Sequence, residues 1–379
     1  MFRKSRKFLI LSLAVLAAAF LLYKFRHSIA LTGFRWLMVE HALRHARISL
    51  LLLALAAIYA CYALRALRWV RMCRWLGRTS FGNVYSATLT GFSCVFLLGR
   101  AGEPIRPVLI ARKNSLSIAG MFGVYVLERV CDMAAAVLLA GFALLSFEHR
   151  GMRGQGSDLP MAIVRSAGAM LLAGLVIAVV ALVYFRYHGA AWLARKLGSE
   201  SWRSGWREKA AVLLEGFSDG LRGVRSWSDF GALTFYTAAH WLLVALVYVW
   251  VIHAFPGRLA AMSFGSVVLV MAFALVGSAV QLPAVGGGAQ AATFLALTLI
   301  LGVEREPAAV VSVVIWLITF AACSLVGLPL LFHEGWSMGE LRRLARAEEQ
   351  VGEAALLAEA EQGAGVSAKG PASSKESVQ

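Results

Sequence analysis

The stretch GRAGEPIRP, Gly99 to Pro107, lies between two long apolar runs and decides how this chain is read. Its two arginines, glutamate, two glycines and two prolines cannot continue a comfortable helix, yet they stand where a membrane segment should turn. Broken backbone bearing fixed charge is costly beside lipid unless it lines a cavity or lies at a water interface. A distant echo, QLPAVGGGAQ (Gln281 to Gln290), follows in the second half. Together the two breaks point to a chain that holds or moves something charged within a bilayer.

The composition around them sets the class. Of 379 residues, 59% are hydrophobic, which is an integral membrane composition rather than a soluble one. A formal net charge of +16 comes from arginine-rich connections, which mark a cytoplasmic side and anionic headgroups. These basic residues flank apolar helices and do not pave one soluble face, so nucleic acid is not the expected partner. The five cysteines have no CxxC spacing and read as packing residues, with no metal or disulfide framework implied. The opening MFRKSRK precedes an apolar run that reads as a retained first helix.

Runs long enough to cross lie near 8–25, 48–64, 119–147, 161–185, 231–253 and 307–332. Two more, near 81–98 and 264–302, are interrupted at the glycine- and proline-bearing motifs. Between Arg65 and Lys113 the basic residues outnumber Glu103 heavily, and the block stays on one side only if 81–98 dips in and returns. The expected fold is therefore an all-α polytopic membrane protein with about six full crossings and two broken, re-entrant helical hairpins. The hairpins enter from opposite faces, the pattern of an inverted repeat. Residues 1–333 make one transmembrane domain, with 186–228 as a cytoplasmic amphipathic connector; 334–379 read as a largely disordered cytoplasmic tail. Both termini are expected in the cytoplasm of a bacterial cell, with the domain in its cytoplasmic membrane.

Three places can carry chemistry. In the first motif Arg100 and Arg106 can offer forked donors to a phosphate, Gly99 and Gly102 can let backbone amides approach it, and Glu103 can pair with one arginine. The plainer alternative is a cytoplasmic loop touching headgroups. In VYVLERVCDMAA, Glu128 and Asp132 share a helix face and Arg129 can pair with Asp132, about 15 Å from the helix end. A structural ion pair to Arg100 or Arg106 competes there with proton or cation coupling. In the second motif Pro283 ends a helix, Gly286, Gly287 and Gly288 free the backbone, and Gln290 offers hydrogen bonds without charge. The run from Arg65 to Arg78 reads as an interfacial face gripping anionic lipid, with Trp69, Cys73 and Leu76 opposite. No nucleophile–base arrangement, Walker loop or dinucleotide fingerprint occurs, and no cofactor is expected.

The pattern resembles the flippase-like transmembrane region of lysylphosphatidylglycerol synthases. That family's first motif is similar to Pro-Gly-Arg-x-Gly-Glu followed by an arginine; Gly99, Arg100, Gly102, Glu103 and Arg106 match, and Leu98 replaces the proline. Its Glu-Arg pair with a nearby Asp resembles Glu128, Arg129 and Asp132. Its second motif resembles Pro-Gly-Gly-x-Gly-x-x-Glu; Pro283 and Gly287 match, Ala284 and Val285 replace glycines, and Gln290 stands at the acid. The resemblance implies lipid translocation without the synthase domain, so no aminoacylation is expected of this chain alone. Membrane lipids with anionic headgroups are the expected partners, with a separate lipid-synthesis enzyme or a second copy of the chain as further ones. A membrane-embedded transferase on lipid-linked substrates, using Glu128 and Asp132, and a non-transporting anchor for a synthase remain the competing functions.

Overall fold

A computed structural model describes residues 42–148, 226–279 and 286–333, with residues 281–282 and isolated positions at 40 and between 166 and 180. The expected crossings at 8–25 and 161–185, most of the connector 186–228, Pro283 and the tail 334–379 lie outside the described residues. All described residues belong to one compact unit, Met1–Gly335.

The chain forms α1 (Ile48–Met72), α2 (Phe81–Leu98), a 3-10 turn (Gly99–Gly102), α3 (Ile105–Asn114) and α4 (Ile118–Glu148). After the gap come α5 (Trp227–His253), α6 (Phe264–Gly277), α7 (Gly288–Leu295) with a π turn (Ala296–Ile300), α8 (Arg305–Trp316) with a π turn (Leu317–Ala321), and α9 (Ala322–His333). Among the described residues the one strand pairing is two residues long, β1 (Gln281–Leu282) against β2 (Gly286–Gly287), antiparallel. Among the described residues, four helical stretches are long and apolar enough to cross a membrane: Ile48–Trp75, Phe81–Gly102, Trp227–His253 and Arg305–His333. Side chains such as Leu52, Phe235, Leu242 and Leu325 stand exposed on their outer faces. In water such a surface would drive association; against acyl chains it is neutral.

Serine caps start three of these helices: Ser80, Ser226 and Ser263 accept from the amides of Asn83, Asp229 and Ser266. Gly99 ends α2 at φ 67°, a conformation that favours glycine. The charged motif does not stay irregular, however. Pro104 caps α3 and Pro107 falls in its first turn, where a proline needs no amide donor. Arg106 is thus held on a helix rather than on a loop.

Both breaks return the chain to where it started. The Ser80 amide and the Asn83 side chain, at the start of α2, bond Asn114 at the end of α3, at 3.2 and 3.3 Å. In the second half, Arg258 ahead of α6 donates to the Gly302 carbonyl beyond α7 at 2.6 Å. Each element pair therefore doubles back on itself as a hairpin. The tips meet: β1 lies against the 3-10 turn, and Arg100 donates to the Ser278 carbonyl at 3.1 Å.

Helices α1 and α5 run antiparallel at the centre. The Arg47 amide donates to the Ala254 carbonyl at one end, and Arg71 pairs with Asp229 at the other. Each hairpin then packs on the last helix of the opposite half, α2 on α9 and α6 on α4. The α2–α9 contact is so close that a β-carbon at Gly327 would overlap the Leu89 carbonyl and the Ser93 hydroxyl. Gly327→Val should therefore separate the two helices and cost about 1–3 kcal/mol. Thermal unfolding in detergent checks this, and an unchanged midpoint would mean that the helices can part freely.

Candidate functional site

Five helices converge on one place beneath the first hairpin, three of them bringing charge. Arg65 and Arg68 come from α1, Arg106 from α3, Glu128, Arg129 and Asp132 from α4, and His240 from α5; α2 supplies the Phe92 ring. Gly91 on α2 makes room, because a β-carbon there would sit 2.6 Å from Cβ of Arg106. Gly102 is buried, and a β-carbon there would overlap the α2 backbone at Cys94 and Val95, so it serves close packing.

Glu128 is the hub, fully buried. It receives Arg68 at 2.8 Å, Arg65 at 3.2 Å and both terminal nitrogens of Arg106, with Arg129 at 3.5 Å. Asp132 receives Arg68 at 2.9 Å, Arg129 at 3.3 Å and Arg65 at 3.4 Å, and the Trp241 indole donates to it at 3.3 Å. The i,i+3 pairing of Arg129 with Asp132 and the long-range pairing of Glu128 with Arg106 follow the expected pattern. Arg100 does not join them and stays at the hairpin tip. Glu103 does not pair with an arginine as expected; it accepts the Tyr125 hydroxyl.

Four guanidinium groups here face two carboxylates, and counting Glu103 as well still leaves a positive excess. The aromatic faces of Trp69, Phe92 and Tyr125 surround Arg106 at 4.8, 5.3 and 5.7 Å, and Phe92 also faces Arg65. Rings soften buried positive charge without neutralising it. Several donors have no acceptor: the Nε atoms of Arg65, Arg68 and Arg129, and the Trp69 indole nitrogen. Buried donors without acceptors are uncommon in folded proteins.

Arg65 and Arg68, expected at the lipid interface, and His240, which carries no sequence signal, also belong to the site. The Arg65–Arg78 run does not present its arginines to lipid as one face: Arg68 and Trp69 are fully buried and Arg65 nearly so. His240 has a defined role. A carbonyl can only accept, so Nδ1 carries the proton given to Cys61 O at 3.2 Å, and Nε2 accepts from Arg65 at 3.1 Å. It is a neutral acceptor that orients Arg65.

Beside this cluster lies a cavity of about 210 Å³ between the central helices and the second hairpin. Arg65, His240 and Trp241 belong to both its wall and the cluster; Ser278, Gln290 and Thr293 close the other side. The second motif is thereby placed. Gly286 and Gly287 pair with β1, Gly287 at φ 133°, and Gly288 begins α7 in close contact with Gly277. Gln290 caps that helix, its Oε1 accepting from the Gly287 amide at 2.9 Å.

No curated protein and no solved structure matches this chain. A family model does: that of the lysylphosphatidylglycerol synthase transmembrane region matches residues 9–327, and the chain belongs to this family of multi-pass membrane domains tied to lipid metabolism.

Proposed function

We propose that this protein moves a phosphate-bearing lipid between the leaflets of a membrane. The observation that carries the reading is the excess of guanidinium groups over carboxylates, with Arg65, Arg68 and Arg106 buried and N–H donors orphaned, beside a cavity between the central helices and the second hairpin. An uncompensated positive cluster in a low-dielectric bundle favours an anion strongly, and guanidinium groups suit a phosphate. In this reading the hairpins enter from opposite faces and the two halves form an inverted repeat. The antiparallel α1–α5 pair and the reciprocal packing of each hairpin on the other half support it. Arg65 receives the phosphate from the cavity, while Glu128 and Asp132 hold the remaining arginines and compete for them. The exposed outer helix faces leave the acyl chains in lipid as the headgroup passes.

A transferase would need one of the buried carboxylates as a base. Both oxygens of Glu128 and Oδ1 of Asp132 already accept from arginine or tryptophan, and Oδ2 of Asp132 is ion-paired with Arg65 and Arg129, which favours anion binding over that chemistry. The test is reconstitution into vesicles with acyl-labelled phosphatidylglycerol and an impermeant quencher. The protein should raise exchange about tenfold or more over protein-free vesicles; equal rates would end the translocation reading.

A further inference from the structure

Building on that reading of the site, we propose that the cavity selects lipids whose phosphate is the only charge of the headgroup. Headgroups that also carry an ammonium are excluded, and Gln290 is the residue that sets the choice. The ligand class is a phosphodiester lipid with an uncharged, hydroxylated remainder.

The charge on the wall is one-sided. Among the described residues, Arg65 is the single charged side chain lining the cavity, and no carboxylate does. Glu128 and Asp132 are close by but buried, with their oxygens saturated by guanidinium groups and the Trp241 indole. An ammonium entering here would find no counter-ion and would lie in the field of a cationic cluster. That is a repulsive element of the kind that discriminates between ligands sharing a phosphate.

The remaining polar groups suit hydroxyls. Ser278, Thr293, Ser312 and Thr319 each donate their hydroxyl hydrogen back to a helix carbonyl, at 2.6 to 2.8 Å. What they have left is lone pairs, which accept from a headgroup hydroxyl or an ammonium alike, so the discrimination falls to the one-sided charge and to Gln290. Gln290 is the complement: its oxygen is taken by the Gly287 amide, so its amide N–H groups are what it can offer. They can donate to a hydroxyl or phosphate oxygen and are useless to an ammonium. The cavity is smaller than the roughly 300–1,000 Å³ of sites that engulf a whole small molecule, as befits a headgroup whose tails stay outside.

Gln290→Glu isolates this role. The carboxylate keeps the acceptor for the Gly287 amide, so the cap survives, while the cavity gains a counter-ion. The detergent-purified protein is titrated with dihexanoyl phosphatidylglycerol and dihexanoyl phosphatidylethanolamine by calorimetry, and acyl-labelled forms of both lipids are followed in vesicles. The wild type should bind the glycerol headgroup about tenfold more tightly than the ethanolamine one, and Gln290→Glu should bring that ratio to about one or reverse it. Equal wild-type affinities, no binding of either, or a ratio unmoved in a folded Gln290→Glu protein would each overturn the inference. The wild-type ratio decides the matter by itself if the variant fails to fold. Selective binding without leaflet exchange would refute translocation and leave the selectivity standing; exchange indifferent to headgroup would do the reverse.

Discussion

Glu128→Gln should lower the unfolding midpoint of the detergent-solubilised protein more than any other single substitution at the site. One buried carboxylate takes donors from Arg65, Arg68, Arg106 and Arg129. Without its charge, four guanidinium groups would face Asp132 alone. Single hydrogen bonds between membrane helices average only about 0.6 kcal/mol, but leaving buried charge unpaired costs about 3–5 kcal/mol. Asp132→Asn should cost less, because Asp132 is slightly exposed and draws its donors from three arginines. Combining Glu128→Gln with Arg106→Met restores the original charge excess, so the double variant should unfold at a higher temperature than Glu128→Gln alone. A double variant that is merely the sum of its parts would show that the cluster is not one electrostatic unit.

Hydropathy marks apolar runs near 48–64, 119–147, 231–253 and 307–332, and helices occupy Ile48–Met72, Ile118–Glu148, Trp227–His253 and Arg305–His333. Trp227–His253 starts ahead of its apolar window because Ser226 caps it there, and Ile48–Met72 runs past its window through Arg65, Arg68 and Arg71. The breaks at Gly99 and Gly287 are legible, since glycine and proline act locally. Burial of Arg65 and Arg68 is not local: their carboxylate partners lie about sixty residues on, in α4. Helical spacing still held a clue. Trp69 is four residues after Arg65 and Cys73 eight, so all three share a face, and that face is buried. An arginine on the tryptophan side of an apolar helix needs a partner inside the bundle. His240 gave less warning, being one of several uncharged polar groups in an apolar span, with a partner on α1 that lies 175 residues earlier in the chain.

Arg65→Ala should separate function from folding. Of the four arginines it alone reaches the cavity wall, where His240 holds it by an uncharged acceptor. Glu128 and Asp132 keep Arg68, Arg106 and Arg129 when it is removed, so neither carboxylate is stranded. The positive excess falls by one charge, which relieves self-repulsion in the bundle. Stability should therefore change little, in contrast to Glu128→Gln. Exchange should fall by at least about thirtyfold, the lower end of what truncating a buried, charge-assisted partner costs, some 2 kcal/mol. Arg65→Lys should recover only part of this, because an ammonium cannot bond His240, Glu128 and a phosphate with one planar fork. Vesicle exchange and the unfolding midpoint, measured on the same preparations, read the two effects apart. Normal exchange by a folded Arg65→Ala protein would take the phosphate away from this cavity. The anion would then have to be sought at the hairpin tips, where Arg100 meets Ser278.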